Sequence, residues 1–111
     1  MAEIDKYLRL MVEHKTSDLH LCTDCKPMYR KDGTIVPLRS ENPISPERME
    51  QLLFEIAPPD KLEEFTRCND TDFAYELPGC GRFRVNYFRD HKGIGGVFRL
   101  IPSEVITFEE L

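Results

Sequence analysis

The second half of the chain alternates polar and apolar residues, which is the pattern of a β-strand with one buried face. The alternation is clearest at residues 82–87 (RFRVNY), where two arginines and an asparagine share one face while a phenylalanine, a valine and a tyrosine share the other. Similar patterns cover 72–77 and 95–101, and turn sequences stand at Pro78-Gly79 and His91-Lys92. We therefore expect three consecutive antiparallel strands.

The first half of the chain mixes helical and strand periodicities. Apolar residues at helical spacing predict helices over 3–14, from Ser45-Pro46 onward, and from about 62 to Arg67. Shorter strands are expected around Leu19 and on both sides of the turn at 31–34. The sum is an α+β domain in which helices pack on an antiparallel sheet of about six strands.

Composition limits the classes of function. The 111 residues, 41% hydrophobic and 32% charged, suit one soluble globular domain. A formal charge of −5 argues against nucleic acid as a partner. The sequence has no apolar run near the ~20 residues needed to span a bilayer, and its acidic start lacks the basic region of a signal peptide. We expect a cytoplasmic protein.

Cysteines leave a further possibility open. Cys22 and Cys25 form a C-x-x-C pair that is compatible with a redox or metal site, but Cys68 and Cys80 do not form a second close pair. No helical pattern follows Cys25, as a thioredoxin-like site would require. We expect thiols in a loop and no metal site.

The arginines are the strongest indication of function from residue patterns alone. If the last two strands pair across a tight turn at His91-Lys92, Arg84 lies opposite Arg99 and Arg82 opposite Ile101. Like charges directly opposite destabilise a sheet by up to ~1 kcal/mol, so this pairing favours a compensating anion. Either a carboxylate of the protein or a phosphate group would serve. A bulge at Gly95-Gly96 would shift the register and remove the opposition.

Other candidate chemistry is weak. The chain contains no G-x-x-x-x-G-K-[ST] sequence, so we expect no ATP hydrolysis by the chain alone. On a strand, Ser17 faces away from Asp18 and His20, so these three residues cannot form a catalytic triad unaided. We expect Asp18 and His20 to be a structural polar pair or an interface contact.

Several ordered segments resemble the amino-terminal domain of PilT-type retraction ATPases over nearly the whole chain. The PilU paralogues share these segments, so the distinction between a retraction motor and an accessory motor stays open. The segments are SDLHL (17–21), PMYRKDG (27–33), TDF (71–73), RFRVN (82–86) and VFRLIP (97–102).

The resemblance implies a PAS-like domain over 1–104. Residues 107–110 fit a capping box, so 105–111 are expected to begin a linker or helix leading to a RecA-like ATPase domain beyond the sequence. The resemblance to PilT-type ATPases further implies a homohexamer that drives pilus retraction and twitching motility. ATP and Mg2+ are expected to bind to the full-length protein. We expect partners to be the RecA-like domains of the same and the neighbouring subunit and, at the cytoplasmic face of the inner membrane, a pilus platform protein.

By motif position, the resemblance assigns Arg84 and Arg99 a catalytic role as arginine fingers directed at the phosphates. Arg82 is a weaker phosphate-binding candidate on the same face. Two alternatives remain, which are a stand-alone PAS-like sensor or interaction module and a redox or metal protein that uses Cys22 and Cys25.

Overall fold

A computed structural model describes residues 2–38 and 41–102. It contains a six-stranded antiparallel sheet in the order β3-β2-β1-β6-β5-β4 and, in the described residues, three helices, so the α+β expectation is confirmed. The expected boundary at 104/105 and the capping box at 107–110 lie outside the described residues. The elements are α1 Asp5–Glu13, β1 Asp18–Cys22, β2 Met28–Lys31, β3 Thr34–Pro37, α2 Pro46–Phe54, α3 Pro59–Cys68, β4 Asp70–Leu77, β5 Gly81–Asp90 and β6 Gly93–Ile101.

Local sequence fixes the ends of the helices. The Ser45 hydroxyl accepts a hydrogen bond from the Arg48 amide at 3.2 Å and thereby caps the start of α2. Helix α3 starts with a proline and stops where Asn69 adopts a left-handed conformation with φ of 60°. None of the helices in the described ranges is long and apolar enough to cross a bilayer.

The three C-terminal strands form the meander expected from their alternation. The β5–β6 pairing runs without interruption from Arg82 opposite Ile101 to Asp90 opposite Gly93. The register is therefore the predicted one, and no bulge interrupts it at Gly95 or Gly96. Strand β1 lies in the interior of the sheet, between β2 and β6, so it has a neighbour on each side.

The core lies on one face of the sheet. Tyr87, at its centre, is fully buried, and its hydroxyl donates a hydrogen bond to the Leu53 carbonyl near the end of α2. Its ring contacts those of Phe65 and Phe98 edge to face, with centroids 6.2 and 6.4 Å apart. Helix α1 contacts the same face, where the Tyr29 hydroxyl donates to the Tyr7 carbonyl at 2.8 Å. The side chains of Arg82, Arg84 and Asn86, which alternate with the buried residues of β5, therefore occupy the face away from the helices.

Candidate functional site

Arg84 and Arg99 lie directly opposite each other on β5 and β6, as the sequence predicts. Both residues are exposed, and 65% of the Arg99 side chain is accessible to solvent. Within the described part of the chain, the Arg84 side chain makes no hydrogen bond or ion pair. The sheet thus presents two adjacent guanidinium groups on its polar face.

Asp18 provides one compensating charge. Strand β1 places it opposite Arg99, whose Nε donates a hydrogen bond to Asp18 Oδ2 at 3.0 Å. Only 4% of the Asp18 side chain is exposed. Burial alone would raise the pKa of Asp18, but hydrogen bonds from Ser17 and Arg99 and the charge of Arg99 outweigh burial and lower it. Of the two compensating anions that the sequence left open, a carboxylate of the protein is therefore present at Arg99, and none of the described carboxylates contacts Arg84.

His20 shares the polar face with Asp18 but does not form a hydrogen-bonded pair with it. Its Nε2 atom is buried and has no hydrogen-bond partner among the described residues. Burial lowers the pKa of His20, and the charges of Arg30 and Arg99 act in the same direction, against the opposing effect of Asp18. The imidazole is therefore predominantly neutral at pH 7.

A shallow groove of about 290 Å3 runs beside the two arginines. One wall is acidic because it contains Asp72, whose carboxylate accepts a hydrogen bond from the Asn86 side-chain amide at 3.0 Å; the same amide also donates to Asp70 at 2.8 Å. The groove therefore has a basic side, where Asp18 pairs with Arg99 and the Arg84 side chain has no partner among the described residues, and an acidic side that is already hydrogen-bonded. Its lining consists of Asp72, Arg84, Val85, Asn86, Val97 and Arg99.

Arg82 lies on the same face but outside this groove. It stands opposite Glu76 on β4 and Ile101 on β6. A carboxylate therefore faces Arg82, whereas Ala74 occupies the β4 position opposite Arg84. On β4, therefore, Arg82 has a negatively charged residue opposite it and Arg84 an uncharged one.

The C-x-x-C pair joins the end of β1 to the turn after it: Cys22 is the last residue of the strand rather than a loop residue as expected, and Cys25 lies in the turn. The Cys25 amide donates to the Cys22 carbonyl at 3.2 Å, and Lys92 Nζ lies 3.8 Å from Cys25 Sγ. Burial raises the pKa of the Cys22 thiol. Both cysteines are free thiols, and residues 2–38 and 41–102 contain no cluster of three or more His, Cys, Asp or Glu side chains arranged to hold a metal ion.

Sequence reasoning missed the contact between Asp18 and Arg99. Alternation placed Asp18 on the polar face of its strand, but no local pattern indicates which strand lies next to β1. The two strands are far apart in the sequence, so residue spacing cannot predict this ion pair.

The sheet order and the helices on one face define an α+β domain whose fold recurs in solved structures of ATPases. The structure matches that of the pilus retraction motor PilT with bound ADP, with a TM-score of 0.83 and 24% identity, covering 93% of this chain and 30% of that one. The Legionella pneumophila ATPase DotB matches with a TM-score of 0.77 and 23% identity, over 90% of this chain and 28% of DotB. At these identities the matches establish the fold.

Sequence relatives point the same way, although no family model matches the chain. The chain is 38% identical to the type IV pilus retraction ATPase PilT of Pseudomonas aeruginosa over 109 residues, which are 98% of this chain and 31% of that protein. It is 33% identical to the type IV pilus ATPase PilU of the same organism, over 98% of this chain and 28% of PilU. Sequence and fold together show that this chain corresponds to the amino-terminal domain of PilT-type proteins.

Proposed function

We propose that this domain is part of a hexameric ATPase that retracts type IV pili and thereby drives twitching motility. In this proposal the domain packs against a RecA-like motor domain of the neighbouring subunit and supplies Arg84 and Arg99 to the ATP site between subunits. The observation that carries the proposal is the direct opposition of these two arginines on the exposed face of the sheet. The names of the sequence relatives, which are pilus retraction and twitching proteins, support the pilus assignment.

Charge explains why this pair suits phosphate. One carboxylate contacts Arg99 and none of the described carboxylates contacts Arg84, so the pair keeps an excess positive charge on the polar face. A guanidinium group binds phosphate oxygens through two parallel hydrogen bonds. An incoming phosphate would also offset the repulsion between two like charges on adjacent strands. The two side chains would neutralise charge that develops on the transferring γ-phosphoryl group.

ATP and Mg2+ belong mainly to the motor domain in this proposal. The chain has no P-loop sequence, so the nucleotide would be held elsewhere and approached by this domain. The two guanidinium groups fit the oxygens of a nucleotide phosphate, whereas the described carboxylates do not cluster as a metal site. ADP is bound in the solved PilT structure, which is consistent with a nucleotide-binding parent. Arg82 would be a secondary phosphate contact, because it faces Glu76.

Assembly would bring two kinds of partner to the domain. One is the motor domain of its own and of the next subunit, and the other is a pilus platform protein at the cytoplasmic face of the inner membrane. A PilT-like retraction motor and a PilU-like accessory motor both satisfy the proposal, since the chain resembles both relatives over the same 98% of its length.

The test uses single variants in a full-length protein that joins this domain to its motor domain. We expect Arg84→Ala and Arg99→Ala each to reduce kcat by about 10³-fold or more, as for other arginine fingers. Lysine at either position should restore little activity, because an ammonium group lacks the planar fork. Arg67→Ala is the matched control, since Arg67 is exposed on α3 in the helical layer.

Thermal midpoints measured beside turnover separate catalysis from folding. Arg84→Ala should leave the midpoint unchanged, because its side chain has no partner among the described residues. Turnover that is unchanged in both arginine variants would overturn the proposal. Turnover that falls only in proportion to the midpoint would return the arginines to a structural role.

A further inference from the structure

We infer that Asp18 is a positioning residue that holds the Arg99 guanidinium by its Nε atom and leaves the two terminal nitrogens free for an anion. This inference rests on the proposed function, because it assigns Arg99 a phosphate to bind. It adds a residue on β1 to a site that sequence motifs place on β5 and β6 alone.

The geometry of the contact supports this role. Asp18 Oδ2 contacts Nε at 3.0 Å, and the Arg99 side chain makes no other hydrogen bond to a described residue. The guanidinium group is planar, so a bond at Nε restricts the orientation of the whole plane. The terminal nitrogens lie at the far end of a side chain that is 65% exposed, whereas Asp18 is almost fully buried. The anchor is therefore inside the domain and the binding end is outside.

Asp18 lies between two arginines on neighbouring strands and pairs with only one of them. Strand pairing places Arg30 opposite Asp18 on one side and Arg99 opposite it on the other. The carboxylate forms its ion pair with Arg99, which lies toward Arg84 and the groove. Through Asp18, strand β1 therefore contacts one member of the arginine pair.

The cost of burying an unpaired carboxylate favours the contact between Asp18 and Arg99. A charged carboxylate that is withdrawn from water is unfavourable unless it is paired and hydrogen-bonded. Rotation of Arg99 away from the sheet would leave Asp18 buried without its ion-pair partner, so the preferred state keeps Nε on the carboxylate. Arg84 has no such anchor among the described residues and remains free to adjust. One fixed and one adaptable arginine would then face the same phosphate.

A spectroscopic test on this 111-residue chain examines the contact independently of any motor activity. In a 15N–1H spectrum of arginine side chains, we expect Arg99 Nε–Hε to give a distinct signal with slow hydrogen exchange. Asp18→Asn should move this signal toward those of exposed arginines. Asp60→Asn, at the exposed start of α3, is the matched control and should leave it unchanged. An Arg99 signal that already coincides with exposed arginines in the wild type would overturn the inference, even if Asp18→Asn failed to fold.

A double-mutant cycle in the full-length protein tests the consequence for turnover. We expect Asp18→Asn to lower kcat about tenfold with little change in KM, a loss in the range seen when partners that orient functional side chains are removed. The same change in an Arg99→Ala background should cause no further loss, because the residue that Asp18 positions is gone.

Each outcome of the cycle has a distinct meaning. Full turnover in Arg99→Ala would overturn the proposed function at this residue and the inference with it. A large loss in Arg99→Ala, combined with an equal effect of Asp18→Asn in both backgrounds, would overturn the inference alone. Loss of turnover in Asp18→Asn that follows its thermal midpoint would likewise show that Asp18 acts only on stability.

Discussion

Asp18 and Arg99 are 81 residues apart in the sequence, yet their side chains form an ion pair with 3.0 Å between Oδ2 and Nε. The contact exists because β1 pairs with β6 in the interior of the sheet. It links the first strand of the domain to the last and places a buried negative charge beneath the arginine pair.

The ion pair predicts a pH dependence of stability. The pKa of Asp18 is lower in the folded domain than the ~3.9 of an unfolded aspartate. A lowered carboxyl pKa stabilises the fold above the unfolded pKa, and this contribution disappears as the pH falls through the folded pKa. The thermal midpoint of the wild type should therefore exceed that of Asp18→Asn most at pH 6–7, and the difference should shrink as the pH falls below the pKa of an unfolded aspartate and through that of folded Asp18.

Neighbouring groups do not obscure this comparison. Ser17, His20, Arg30 and Arg99 lie around Asp18 and are present in both proteins, so the difference in midpoint reports the loss of the Asp18 carboxylate itself. A difference in midpoint that stays constant over the whole range would show that Asp18 is not a stabilising charge.

Gly95 should tolerate no side chain. A Cβ atom at this position would lie 2.5 Å from the Leu21 carbonyl oxygen and 2.7 Å from Phe88 Cζ. We expect Gly95→Ala to lower the free energy of unfolding by about 1–3 kcal/mol, as overpacking does elsewhere, because a backbone atom of the neighbouring strand must move. Urea denaturation measures the effect.

Gly96→Ala is the matched control for this prediction. The three atoms nearest to its Cβ would all belong to side chains, at 3.2 Å for Tyr87 and 3.3 Å for Leu53. Those atoms can yield by a few tenths of an ångström, so the loss should be smaller than for Gly95→Ala. Equal losses at the two positions would contradict the geometry of the β1–β6 pairing.

Tyr87→Phe should destabilise the domain without disturbing its aromatic core. The substitution keeps the ring contacts with Phe65 and Phe98 but removes the hydrogen bond to the Leu53 carbonyl, which belongs to the last turn of α2. A buried acceptor that loses its partner costs about 1–3 kcal/mol. Urea unfolding that shows a loss below about 0.5 kcal/mol would mean that another group satisfies this carbonyl.

Local sequence patterns predict most of this fold. The opposition of Arg84 and Arg99 follows from alternation and a tight turn, because β5 and β6 are consecutive strands and their register is set by a short connection. The cap at Ser45 and the start of α2 follow equally from adjacent residues. These features depend on interactions between residues that are close in sequence.

The rest of the site depends on the order of strands in space. Nothing near Asp18 in the sequence indicates that its neighbour is β6, and the different surroundings of Arg82 and Arg84 depend on residues of β4. Alternation assigns each side chain a face but not a partner on that face. The electrostatic difference among the arginines therefore requires the tertiary structure.

Subunit complementation tests most directly whether the arginines act across a subunit interface. Full-length subunits carrying both Arg84→Ala and Arg99→Ala would be co-assembled with subunits whose motor domain has lost its P-loop lysine, each inactive alone. If this domain supplies arginines to the neighbouring motor, mixed hexamers should regain ATP turnover, because the second kind of subunit donates intact arginines to the intact motor of the first. Mixed hexamers that form but remain as inactive as either parent would contradict the account.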